Sequence, residues 1–291
     1  MAVRWQRRCG AAAAPALVAA LLAAALTPLT AGCAALGGTA DGRSPGGPGA
    51  SRDARPAPDA VRRAAEALVR AGTSRVRTSM EMASGGTRVV VQGAGSFDYA
   101  RGTGRLVVSL PRGTSGERPG ERRPVVELLT PRALYMKNRE GVPPGKWVRV
   151  PTATLPDGNL VSGGATDPVS AAELLRGART VRRLGATDLD GTRVWHFRGT
   201  VDVRAAADAA SPSVRRRLTA AEKGFSGHTI PFDAYLDGQG RLRKVRHRFT
   251  FAGERGDVTV LSTTRAHGFG VPVRVTMPED RDIYAGAIAV P

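Results

Sequence analysis

Lys244-Val245-Arg246-His247-Arg248-Phe249-Thr250-Phe251 is the stretch that decides the fold. Val245, His247, Phe249 and Phe251 alternate with Lys244, Arg246, Arg248 and Thr250. A period of two predicts a strand with one dry face and one wet face, the wet one here basic. The pattern recurs upstream. Trp195, Phe197, Val201 and Val203 alternate with His196, Arg198 and Asp202, while Leu106, Val108 and Leu110 share a face in a third run. Strands that are dry on one side only belong to antiparallel sheets, and the dry side must be covered.

Further runs of this kind extend outward from that stretch. Residues 75–83, 87–99, 104–111, 125–130, 133–138 and 146–150 read as six consecutive strands. No helical pattern separates them, so they form a meander rather than βαβ units. Residues 180–185, 192–203, 230–236, 242–251, 257–266 and 273–276 read as a second series, with Asp237-Gly238-Gln239-Gly240 as a hairpin turn within it. Three helical patterns accompany the strands. In 59–71, Val61, Ala64, Ala65, Leu68 and Val69 recur on one helix face. Asp167-Pro168 opens a second helix that runs to about Arg176, with Pro set just after a capping residue. Residues 205–227 interrupt the sheet as a short helix or flap, with Val214, Leu218 and Ala221 at helical spacing. Residues 112–124 read as an exposed basic loop, and 279–291 as a loose tail.

A dozen strands need much cover, and two or three short helices supply only part of it. Two outcomes stay open on the residues alone. The sheet encloses a filled core, or it leaves an apolar cavity.

The amino terminus is of another kind. Arg4, Arg7 and Arg8 precede an apolar run, 11–29, that ends in Leu29-Thr30-Ala31-Gly32-Cys33. A basic start, an apolar middle and small residues before a cysteine make a lipoprotein signal, 1–32, with Cys33 as the lipidated residue. Cleavage beside Cys33 needs the small side chains of Ala31 and Gly32, and the lipid needs the Cys33 thiol. Thr30 stands where such signals usually carry Leu, with Leu29 one place earlier. Residues 33–58 then read as the lipidated cysteine and a Gly-, Ala-, Ser- and Pro-rich linker. A flexible linker of that length reaches on the order of 25–30 Å. The expected address is the outer face of the cytoplasmic membrane, held by a diacylglyceryl and palmitate anchor.

Composition narrows the class. The net charge of +18 favours anionic surfaces. The basic residues are scattered, Arg215-Arg216-Arg217 being the densest cluster, so nucleic acid is not the expected partner. Of the two cysteines, Cys9 lies in the signal, which leaves no intramolecular disulfide and no cysteine metal site. His196, His228, His247 and His267 lie far apart, without metal-ligand spacing. Gly224-Phe225-Ser226-Gly227-His228 lacks the second Gly of a nucleophile elbow. No catalytic residue, metal or cofactor is expected, and the chain does not read as an enzyme.

Several stretches carry a family likeness. They are Asp167-Pro168 with Leu174-Leu175; Asp190-Gly191-Thr192-Arg193-Val194-Trp195-His196-Phe197-Arg198-Gly199-Thr200; Ile230-Pro231-Phe232-Asp233-Ala234-Tyr235-Leu236-Asp237-Gly238-Gln239-Gly240; and Phe269-Gly270-Val271-Pro272-Val273-Arg274-Val275-Thr276-Met277-Pro278. Leu134-Tyr135-Met136-Lys137 and Lys146-Trp147-Val148 look like the first-half hairpin of the same family. In this order behind a lipid-attachment cysteine, they resemble actinobacterial lipoproteins of the LppX/LprG type, in the LolA-like superfamily. The resemblance implies an α+β fold over 59–278: a strongly curved antiparallel half-barrel of about 11–12 strands with helices on its concave side. It also implies an apolar cavity that takes lipid or another amphiphile, and transport by a carrier acting as a monomer, with an envelope export protein as a further partner. On that reading Leu106, Val108, Leu110, Trp195, Phe197, Val201, Phe232, Val245, Phe249 and Phe251 line the cavity, and Arg215, Arg216 and Arg217 meet an anionic headgroup. The alternative is an envelope scaffold of the same fold that binds a protein partner.

Overall fold

A computed structural model describes residues 56–84, 87–109, 123–155, 157–161, 167–251 and 257–286, within a compact unit spanning Asp53–Pro291. Cys33, the signal, the linker, Leu110 and most of the basic loop lie outside the described residues.

Eleven strands form one sheet. The first series is β1 (Thr73–Ser84), β2 (Thr87–Asp98), β3 (Thr103–Ser109), β4 (Val125–Leu129), β5 (Ala133–Lys137) and β6 (Trp147–Pro151). The second is β7 (Arg182–Leu189), β8 (Thr192–Asp202), β9 (Thr229–Asp237), β10 (Leu242–Phe251) and β11 (Val258–His267). The order is β6-β5-β4-β3-β2-β1-β11-β10-β9-β8-β7, with antiparallel pairing throughout. Two meanders are therefore joined where the first strand meets the last. The sheet is curved and unclosed, with β6 and β7 at its edges. This is the expected half-barrel.

Five helices cover the inner face: α1 (Ala57–Arg62), α2 (Ala64–Ala71), α3 (Pro168–Glu173), α4 (Val203–Ala209) and α5 (Pro212–Gly224). Their starts follow local chemistry. The Asp167 carboxylate accepts from the Val169 N–H at 2.8 Å, with Pro168 in the first turn. The Asp202 carboxylate accepts from the Ala205 N–H at 2.9 Å. Pro212 opens α5.

Strand register places every inner-facing residue. Phe197 opposes Ala234, which opposes Val245; Phe249 opposes Val260, which opposes Met82. All but Met82 of these are buried, as are Leu68, Leu174, Leu175, Val203, Val214 and Leu218 above them. The sheet and helices thus share one apolar layer. Gly95 and Gly104 permit a close approach in it: a Cβ at Gly95 would strike the Arg105 carbonyl, and one at Gly104 would strike the Phe97 ring.

Several expectations are corrected. The helix expected over 59–71 divides at Arg63 into α1 and α2. The strand expected at 180–185 is β7, displaced towards the turn. Asp190 and Gly191 both take positive φ, a two-residue hairpin loop that carries pairing up to Leu189 opposite Thr192. Residues 205–227 hold parts of two helices rather than one, and Val203 belongs to α4 rather than to the strand before it. No strand forms at 273–276. The Gly270 N–H bonds the Thr73 carbonyl at 3.0 Å, bringing this segment past β1, but β1 is already paired on both sides, so no ladder position is open. The tail also differs from a loose one. The Tyr284 N–H bonds the Trp147 carbonyl at 2.7 Å and Ile283 bridges Trp147, so the segment covers part of the β6 edge.

Candidate functional site

The inner face is the first place to look for a site. Leu106, Val108, Phe197, Val201, Phe232, Val245 and Phe249 all face it and are each at most 4% exposed. They touch packed side chains on every side, so the layer is sealed around them. Trp195 and Phe251 stand at its margins, only partly buried. The Arg183 guanidinium lies 4.0 Å from the centre of the Trp195 ring. The structure thus brings seven of the ten cavity candidates into one layer and two to its rim. The tenth, Leu110, is outside the described residues.

Phe225 was not anticipated. It ends α5, stacks on Phe249 at 5.0 Å and leans on Phe251 at 4.9 Å. An aromatic residue just after the Gly224 helix stop was the available signal.

Polar groups also sit in the layer. His247 is wholly buried, and its Nε2 has no hydrogen-bond partner among the described residues. Burial pulls its pKa down to about 3, so the ring is neutral. Glu127, on β4 opposite Leu106 and Met136, is equally buried. Burial holds its carboxyl well above the usual carboxylate range, against the pull of the nearby Arg139 charge. Sequence alternation placed His247 on the dry face but gave no sign of Glu127.

Charged links tie the helices together. Arg176, after α3, bonds Glu173 at 2.7 Å and Glu66 of α2 at 2.9 Å. The Ser211 N–H, at the start of α5, donates to the same Glu173 at 3.0 Å. Arg217 of α5 forms an ion pair with Asp167, both side chains buried. This corrects the expectation for Arg217. Residues 214, 217, 218 and 221 lie on one helix face, so Arg217 points inward with Val214, Leu218 and Ala221. Its charge is satisfied by Asp167, not offered to a headgroup.

Arg215 and Arg216 do reach a surface. With Thr219, Lys223 and Gly224 of α5 they line an open groove of about 600 Å³ against Ala153, Thr154 and Leu155 after β6. No carboxylate lines it. A second groove, of about 540 Å³, lies between α2, α3 and the start of α5 and mixes Glu66 and Glu173 with Arg70, Arg101 and Arg176. No group of three or more potential metal ligands occurs among the described residues. The Ser226 hydroxyl donates to the Thr250 carbonyl at 2.8 Å.

An apolar layer between an open curved sheet and a set of short helices defines the class, an antiparallel half-barrel covered by helices. Relatives then place the chain. No protein-family model matches it. It is 30% identical to "Putative lipoprotein SCO4650" of Streptomyces coelicolor over 217 residues, which cover 64% of this chain and 73% of that protein. The chain belongs to the family of that protein. Similar solved structures include LprF from Mycobacterium bovis, at 14% identity and TM-score 0.39, covering 76% of this chain and 96% of that one. LppX from Mycobacterium tuberculosis follows at 11% identity and TM-score 0.38, covering 75% and 97%. No helix among the described residues is long and apolar enough to cross a membrane.

Proposed function

We propose that this lipoprotein binds and carries lipid or another amphiphile between the inner sheet face and its helices, held at the outer face of the cytoplasmic membrane through diacylglyceryl-Cys33. One observation carries the reading. The large apolar inner face is covered by separate short helices, not by a second sheet, and the helices are joined to one another by a few polar links. Acyl chains enter when α4 and α5 swing away, exchanging contacts with Leu218 and Phe225 for contacts with lipid. Burial of apolar chain is worth about 25 cal/mol per Å², so an acyl tail can replace the helix contacts it displaces. The groove beside Arg215, Arg216 and Lys223 supplies the headgroup contact. Such transfer needs no bond to be made or broken.

Solvent extraction and native mass spectrometry of the purified lipoprotein test this. A bound acyl lipid beyond the anchor itself is expected, and its loss in a variant that locks α5 to the sheet. A protein that neither retains nor takes up any lipid sinks the reading. The sealed inner layer favours the second reading, a scaffold for a protein partner. That outcome would appear as an empty extract together with a stoichiometric envelope protein in cross-linked complexes.

A further inference from the structure

The outer face of the sheet carries a row of cations with few carboxylates to answer it. Arg77 on β1 opposes Arg265 on β11, which opposes Lys244 on β10; the row continues through Tyr235 on β9 to His196 on β8. Adjacent strands are about 4.8 Å apart, so three cations stand shoulder to shoulder. The next row adds Arg246, Asp233 and Arg198 in direct opposition. Like charges in opposing positions destabilise a sheet. Among the described residues two carboxylates answer them: Asp233, taken by Arg198 at 2.9 Å and His196 at 2.6 Å, and Asp190, 3.2 Å from Arg265. Arg77 and Arg246 have no ion pair among the described residues. Elsewhere on this face cations do find partners. Arg88 pairs with Glu81 at 2.5 Å, and Arg149 donates to the Tyr135 hydroxyl at 3.2 Å.

We propose that the outer face between β1 and β8 docks a linear polyphosphate-type anion, a chain of linked phosphates, laid across the strands. A line of cations at strand spacing matches charges repeated along a chain, and guanidinium forks suit phosphate oxygens. The lowered pKa of Lys244, from partial burial and then from the charges of Arg265 and Arg246, fits a site made for an anion to fill. A polymer is preferred to the bilayer because the headgroup groove lies on the opposite, helix-covered side. A helix on a sheet is about 10 Å thick, more than a Debye length of about 8 Å, so one membrane cannot meet both faces. This choice rests on the lipid-carrier reading; the cation row does not.

The test uses the full chain carrying Cys33→Ser, so that no anchor obscures binding, with inorganic polyphosphate as probe. In titrations at several salt concentrations, the triple change Arg77→Gln, Lys244→Gln, Arg246→Gln should weaken binding on the order of tenfold or more. It should also make the slope of log affinity against log salt shallower by about 2, at ~0.7 per lost contact. The same variant should melt within a few degrees of the parent, because the relief of the Arg77–Arg265–Lys244 opposition offsets the loss of the Arg246–Asp233 and Lys244–Tyr235 contacts, which separates lost binding from lost folding. Unchanged affinity and slope would overturn the proposal. So would an equal loss on changing Arg215 and Arg216 to Gln, which assigns the polyanion to the helix groove. If phosphatidylglycerol vesicles, but not polyphosphate, lose binding in the triple variant, the occupant is a membrane and the proposal fails. Lipid extraction results do not enter any of these outcomes.

Discussion

Arg217 and Asp167 are the pair whose loss would be felt most. Both side chains are buried, and Asp167 also caps α3 and accepts from the Ser170 hydroxyl at 3.1 Å. Removing one member of a buried pair strands the other charge. Arg217→Met is expected to cost about 3–5 kcal/mol in denaturant unfolding, and the double change Arg217→Met, Asp167→Asn markedly less than the sum of the singles. His247 sets a pH dependence. Its folded pKa, about 3, lies below the ordinary 6.5, so the unfolded chain takes up the proton first as pH falls. Stability from this group is complete above about 6.5 and declines as pH drops towards 3, by several kcal/mol at ~1.4 per pKa unit. His247→Phe should flatten that limb of the unfolding curve. Glu127 acts in the opposite direction. Its carboxyl is held neutral, so stability declines as pH rises above the ordinary 4.5, and Glu127→Gln should remove that decline. At this scale the sequence was legible where alternation sufficed: Phe249, Val245 and Phe197 were placed correctly. Arg217 was not, because three consecutive arginines look alike until helix phase is fixed by Val214 and Leu218. Glu127 was missed because a carboxylate is not expected on a dry face.

Among the elements, the α4–α5 pair matters most to the proposed opening. Leu218, wholly buried, is its central contact. Leu218→Ala should lower stability by about 2–5 kcal/mol. Native-state hydrogen exchange should show α5 amides opening before those of β1 and β11, since those strands are paired on both sides and α5 belongs to no ladder. Uniform exchange across α5 and the central strands would argue against a moving flap. Elements were legible when they carried their own period. The two meanders, the Asp167-Pro168 helix start and the hairpin at Asp237 all did. The strand expected at 273–276 had alternation, but the strand it passes, β1, is already paired on both sides. Pairing partners are a property of the whole sheet, and no local pattern records them. The sealed layer was illegible for a similar reason, since packing density depends on how helices settle over strands.

The edges of the whole molecule are treated unequally. β6 is partly covered by the tail through Ile283 and Tyr284, and the Lys146 ammonium bonds the Arg281 carbonyl at 2.7 Å. β7 ends the other side with most of its residues exposed. Open edges invite pairing with other chains. Truncation after Met277 should therefore raise self-association in light scattering, with only a small loss in Tm. An unchanged monomer would show that the tail is not protecting β6. The central pairing of β1 with β11 has a consequence in time. The first half can form a six-stranded sheet early in synthesis, but its β1 edge stays bare until the final strand arrives. The first meander grows outward from the middle and the second inward from its rim, so the central ladder is completed last.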